Sequence, residues 1–205
     1  FFEWKDGVKF KIVPKGRRTG ITRGSANACI EYLIDGTAPV LWGDTIHANI
    51  DKYFTRYFLP ELKRNNIKHQ WESQKKQLTI NGNVCDFRSA DNPENWEGFG
   101  YKVIILNEAG IILKNKDLYT NTVLPMLLDY PDSKLIAAGV PKGKLLKSGS
   151  EHPFYTLAKR AMEGNPKYEL VSLTSYDNPV LNAQDIRELE IEIGSMSASA
   201  VDQEI

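Results

Sequence analysis

Four consecutive aliphatic residues, Val103-Ile104-Ile105-Leu106, run directly into Asn107 and Glu108. Side chains alternate across a strand, so a strand that is apolar at successive positions is apolar on both faces and must lie in a sheet covered on both sides. That requirement selects an α/β fold with a mainly parallel sheet flanked by helices. The rest of the chain repeats the theme, with short β-branched runs alternating with amphipathic stretches. The run also delivers Asn107 and Glu108 to the carboxyl edge of the sheet, where open α/β sheets bind their ligands.

The periodicities predict strands over residues 9–13, 40–42, 101–106, 135–138 and 170–173, and helices over 22–33, 46–64, 118–128 and 154–162. Within 46–64, Ile50, Tyr53, Phe54, Tyr57, Phe58 and Leu62 form an apolar stripe that reads as core. Residues 69–71, 78–80 and 84–87 predict short antiparallel strands, a small insertion at the sheet edge with Asn81-Gly82 as its tight turn. Asn178-Pro179 breaks the pattern, and residues 183–193 predict a charged helix leading into a Ser/Ala-rich stretch. The expected organisation is a core over 1–176 and a linker subdomain over 177–205.

At 205 residues, with 41% hydrophobic and 25% charged side chains, the chain can bury a real core and is neither a disordered tail nor a disulfide miniprotein. Twenty-six basic against twenty-six acidic residues leave no global field, so binding to nucleic acid must come from a local patch. No apolar run approaches the ~20 residues of a membrane span, and FFEWKDGVKF lacks the pattern of a signal peptide, which reads as a cytosolic protein with no membrane partner. The absence of an initiator Met reads as a piece of something longer. Cys29 and Cys85 are expected to be small core residues rather than metal ligands or a redox pair.

Between the first predicted strand and helix lies Lys15-Gly16-Arg17-Arg18-Thr19-Gly20-Ile21-Thr22. A glycine-containing loop in that place is the context of a phosphate-binding loop. Aligned on Gly20, the ordinary G-x-x-x-x-G-K-[ST] pattern puts Gly at 15 and Lys at 21, where this chain has Lys15 and Ile21. A loop that wraps a phosphate brings its first and last residues close together, so an amine entering from position 15 reaches the same oxygens. Gly16 and Gly20 let backbone N–H groups turn inward, Arg17 and Arg18 are further phosphate donors, and Thr22 offers a hydroxyl to a magnesium ion. A basic solvated turn is the plainer alternative.

The end of the apolar strand has the place of a Walker B motif, in which a carboxylate holds the magnesium shell and the next acid activates water. Asn107 brings an amide oxygen without charge, so weaker Mg2+ binding and little or no turnover are expected; Glu108 stands as general base.

Taken together these segments resemble the ATPase domain of the large terminase subunit of tailed bacteriophages, a P-loop NTPase of the ASCE/RecA-like type. The loop is similar to the deviant Walker A of terminases, in which a basic residue at its front replaces the usual lysine, and VIILNEAG is similar to their Walker B. Ala137-Ala138-Gly139-Val140-Pro141 resembles their coupling motif, and Tyr176-Asp177-Asn178-Pro179 the segment after the last ATPase strand. Residues 202–205 resemble the lead-in to a nuclease domain, whose carboxylate cluster is absent, so DNA cleavage is not expected.

The resemblance implies an ATP hydrolase (cofactors ATP and Mg2+) that moves double-stranded DNA into a procapsid. Its partners would be the portal protein and the small terminase subunit, in a ring of copies at the portal in the host cytoplasm. It implies phosphate binding by residues 15–22, γ-phosphate sensing by Gly139, metal binding by Thr22 and Asn107, and catalysis by Glu108. Many terminases carry an arginine finger near Walker B; Glu97 stands there, and Arg88 is the nearest substitute. The adenine-binding segment is not recognisable in residues 1–9. Lys75, Lys76, Lys142, Lys144 and Lys147 are candidate DNA contacts. The competing readings are another nucleic-acid-dependent P-loop ATPase, a silent nucleotide-binding assembly module, and, less well supported, a small-molecule kinase.

Overall fold

The computed structural model describes residues 2–96 and 98–196; Glu97 and residues 202–205 lie outside them. One eight-stranded sheet organises the chain, in the order β3-β4-β5-β2-β6-β7-β1-β8. Its strands are β1 (Phe10–Pro14), β2 (Val40–Asp44), β3 (Gln70–Glu72), β4 (Gln77–Ile80), β5 (Asn83–Ser89), β6 (Val103–Asn107), β7 (Lys134–Gly139) and β8 (Tyr168–Leu170). The aliphatic run is β6, in the interior between β2 and β7, with all five residues buried as two-sided hydrophobicity demands. All pairings from β5 across to β8 are parallel. Helices cover both faces, α1 (Ile21–Asp35) and α2 (residues 47–64) on one, α3 (Ala109–Ile112), α4 (residues 118–126) and α5 (Pro153–Met162) on the other. This is the P-loop NTPase-like architecture expected from the sequence. A last helix, α6 (Ala183–Met196), follows a short turn at Ser175–Asp177.

Three expectations need correction. Residues 84–87 are not part of an edge insertion: β5 is antiparallel to β4 but parallel to β2, Cys85 pairing with both Leu78 and Val40. Burial of Cys85 and Phe87 makes β5 the last strand of the parallel core, and only β3 and β4 form the antiparallel edge. The final strand lies earlier than residues 170–173, and Leu173 makes only an isolated bridge to Lys15. Finally, α2 contains a π turn at Phe54–Phe58. Ile50, Phe54, Phe58 and Leu62 are buried as predicted, whereas the extra residue per turn leaves Tyr53 and Tyr57 only half-buried, stacked on each other at 5.6 Å and facing the loop after β1.

Cys29 and Cys85 are both buried, with their sulfurs 3.5 Å apart and unlinked. Trp71 stacks on Phe54 at 4.1 Å and meets Phe87 edge-on at 5.2 Å, which fastens the antiparallel edge to α2. Arg23 on α1 reaches Glu61 on α2 and ties together the two helices beside the loop. Among the described residues, no helix is long and apolar enough to cross a membrane.

Candidate functional site

The loop after β1, the ends of β6 and β2, and the turn after β7 meet at the carboxyl edge of the sheet. They border an open cleft of about 730 Å3 whose lining includes Lys15, Thr19, Thr22, Tyr53, Glu108 and Lys142. β7 lies between β1 and β6, so Lys15 at the end of β1 and Glu108 at the end of β6 stand one strand apart, and long side chains span that gap. Lys15 Nζ donates to Glu108 Oε1 at 2.9 Å, with the lysine side chain only 7% exposed and the glutamate 24%. The relocated lysine therefore points into the cleft. Glu108 adopts a positive φ of 66°, an unfavourable conformation for a side-chain-bearing residue. It does so at the sharp turn from β6 into α3, which aims its carboxylate back toward β1.

The loop behaves in parts as expected. Gly20 (φ 82°) makes the left-handed turn that starts α1. The first-turn N–H groups of residues 21–23 have no intrahelical acceptor and face the cleft with the positive end of the helix. Thr19 Oγ1 is buried in the loop with no hydrogen-bond partner among the described residues. Gly16 does not turn its amide inward, because it donates to Leu173 O at 2.9 Å. Ile21 packs with Val13 and Ala138, an apolar plug where the ordinary motif has its lysine. The Arg17 and Arg18 side chains are exposed at the cleft rim, while their carbonyls accept from Ser175 Oγ at 2.7 Å and Asn178 Nδ2 at 2.5 Å. The segment after β8 is thereby fastened to the loop.

Thr22 Oγ1 donates to Asn107 Oδ1 at 3.2 Å, bringing the two predicted metal ligands together. Asn107 Nδ2 in turn donates to Asp44 Oδ2 at 3.0 Å. Asp44 is a site residue beyond those expected from the sequence, although Val40-Leu41-Trp42-Gly43-Asp44 carries the same signal as β6, an apolar run closing on a polar end. Asp44 is fully buried, and burial pushes its carboxyl above the usual range against the pull of hydrogen bonds from Asn107, Thr45 and Trp42. Tyr53, beside both acids, has its phenol pushed up to about 12, first by burial and then by Asp44 and Glu108.

Gly139 lies behind the cleft. A Cβ there would stand 2.7 Å from Ala109 N and 2.8 Å from Gly110 N, and one on Gly110 would stand 2.1 Å from Val140 O. The β7 turn thus touches the backbone that carries Glu108, and Val140 and Lys142, rather than Gly139, line the cleft. Arg88 is not brought here. Its guanidinium donates to the carbonyls of Asn95, Phe87 and Lys75 and lies 3.5 Å from Asp86. Among the candidate DNA contacts, Lys75 pairs with Glu72 and Lys76 with Asp51, and Lys144 lies over the Tyr155 ring.

An orphaned hydroxyl, helix-start amides and a buried amine suit a polyphosphate, and the oxygens of Thr22 and Asn107 suit a hard cation. Among the described residues no three acidic, histidine or cysteine side chains form a ready metal cage. A magnesium ion that arrives on phosphates keeps several waters and needs only one or two protein ligands. The fold is an α/β sheet of P-loop NTPase-like architecture with an open cleft at its strand ends.

The ATPase domain of the large terminase of Thermus phage P74-26 has a similar structure, with a TM-score of 0.75 at 19% identity, covering 96% of this chain and 87% of that one. The large terminase of bacteriophage HK97 gives 0.72 at 14% identity over 94% of this chain. That of thermophilic bacteriophage D6E, in complex with ADP, gives 0.70 at 12% over 89%. The chain spans 44% of the length of each of the latter two. At such identities the likeness is one of fold. No protein-family model and no curated protein matches the sequence.

Proposed function

We propose that this chain is the ATPase motor domain of a DNA-packaging terminase. The observation that carries the reading is the contact between Lys15 and Glu108, beside Thr22 and Asn107, in a fold shared with phage terminases. The D6E terminase has been solved with ADP and with ATP-γ-S. In this reading Lys15, Thr19 and the loop amides bind the β- and γ-phosphates of ATP. A phosphate drawing Lys15 toward itself releases Glu108, which then accepts a proton from the water attacking the γ-phosphorus as the β–γ bridging oxygen leaves with ADP. Thr22 and Asn107 would hold Mg2+, which when bound offsets charge on the phosphate oxygens.

Loss of the γ-phosphate re-forms the Lys15–Glu108 pair, and the turn at Glu108 presses on Gly139 and Val140. Ser175, at the end of the core, and Asn178, at the start of the proposed linker subdomain over 177–205, both hydrogen-bond carbonyls of the same loop, so in this reading loop motion reaches the linker directly. In the whole protein this stroke would drive double-stranded DNA, gripped through its phosphates, in a ring of copies at the portal, with the small terminase subunit as a further partner. Arg88 acts as a finger toward a neighbouring copy only if it leaves its carbonyl partners.

Calorimetric titration with ATP and magnesium, with phosphate release followed in parallel, tests the reading. Binding by the unaltered chain and its loss in Lys15→Ala are expected. Equal binding by both removes the loop from nucleotide recognition.

A further inference from the structure

We propose that Asp44 and Asn107 together do the work of the single carboxylate expected at the end of β6. Asp44 supplies the negative charge and, acting through the Asn107 amide, turns that amide's oxygen toward a divalent cation at Thr22. The inference rests on the nucleotide reading above and adds to it a positioning residue from a different strand.

Register makes the pair possible. β2 and β6 are parallel neighbours in which Gly43 pairs with Leu106, so the next residues along, Asp44 and Asn107, emerge side by side at the sheet edge. The chemistry of the two groups then fixes their arrangement. An ionised carboxylate can only accept hydrogen bonds, whereas an amide has one donating and one accepting end. Contact with Asp44 Oδ2 must therefore use Asn107 Nδ2, which leaves Oδ1 toward Thr22. Without the acid the amide is free to flip and present its donor to a cation.

Charge pairing points the same way. Asp44 accepts from Trp42 Nε1, Thr45 N, Thr45 Oγ1 and Asn107 Nδ2, all neutral donors. The other two buried acids among the described residues have arginine partners, Glu61 with Arg23 and Arg64, and Asp86 with Arg88. A buried carboxylate without a cation is costly to keep. A cation arriving with the ligand beside Asn107 relieves that cost. The negative charge has moved one strand over, from β6 to β2, and the amide transmits it.

The test is Mn2+ binding in the presence of saturating ATP, followed by electron paramagnetic resonance, alongside calorimetric ATP binding in EDTA. Asp44→Asn is expected to weaken Mn2+ binding by about 10–100-fold, the usual effect of losing a carboxylate behind a metal ligand, and to leave metal-free ATP binding unchanged. Asn107→Asp alone sets two carboxylates in contact and is expected to bind Mn2+ no better than the unaltered chain. The exchanged variant, Asp44→Asn with Asn107→Asp, restores the original affinity. Unchanged Mn2+ affinity in Asp44→Asn overturns the proposal. So does an exchanged variant no tighter than Asp44→Asn, or one that fails to fold. If the unaltered chain binds ATP neither with metal nor in EDTA, the nucleotide reading itself falls; binding that is merely insensitive to Asp44 sinks this inference alone.

Discussion

Two acids close two neighbouring strands of the same sheet, and they are built for different work. Glu108 is partly exposed, held at a positive φ, and paired with the Lys15 amine across the cleft. Asp44 is sealed, in ordinary strand geometry, and surrounded by neutral donors. A group that must exchange protons with substrate water needs exposure and a partner it can lose; a group that only shapes the local field is better fixed and dry. In the proposed reading, the difference separates a residue placed to react from one placed to orient.

The sharpest way to break the comparison is Glu108→Gln. Phosphate release is expected to fall by roughly 10²–10⁴-fold, the range for removal of a general base, while ATP still binds, because the amide continues to accept from Lys15. A variant that hydrolyses ATP normally transfers the catalytic role elsewhere, with Asp44 the first candidate. Next in size is Gly110→Ala. Its Cβ would meet the Val140 carbonyl at 2.1 Å, and the clash between two backbones is expected to cost about 1–3 kcal/mol in urea unfolding. It should also disturb hydrolysis more than metal binding, since the Glu108 turn must move and Asp44 need not.

Smaller still is the effect of Tyr101→Phe. The Tyr101 hydroxyl donates to Asp86 at 2.9 Å in the interior, far along the sheet from Lys15, and its loss is expected to cost about 1 kcal/mol with no change in nucleotide binding.

The smallest expected effect is a pH dependence at His152. Its Nδ1 accepts from Phe154 N and its Nε2 donates to Gly110 O, so the neutral ring caps α5 and braces the Glu108 turn. Burial, reinforced by Lys114, holds its pKa below the ordinary 6.5, against the opposing pull of the Gly110 contact. A depressed folded-state value means that its contribution is complete above 6.5 and is lost as pH falls through the lower folded value. Urea unfolding at about pH 7.5 and about pH 5.5 should show a loss on acidification that His152→Gln lacks. Equal losses in both forms would place the effect on other groups.

The fold was largely legible in the chain, because a strand apolar on both faces admits few architectures and the loop after β1 carries glycine and lysine in a recognisable setting. Lys15, Thr22, Asn107 and Glu108, named from order and spacing, come together in two contacting pairs at the sheet edge. Gly16 and Ile21 do not serve as loop chemistry suggested, since the Leu173 carbonyl, beyond β8, claims the amide of one and the core claims the side chain of the other. Arg88 looked available only because a linear sequence cannot show the three carbonyls that hold it.

Local pattern determined most of the strands and helices and which loop lies between the first strand and helix, since side-chain periodicity and backbone preference act over a few residues. Only the tertiary structure decided that β5 joins the parallel core and that Asp44 stands behind Asn107. Both follow from the pairing of strands distant along the chain, and register between such strands is settled by the packing of the whole sheet against its helices.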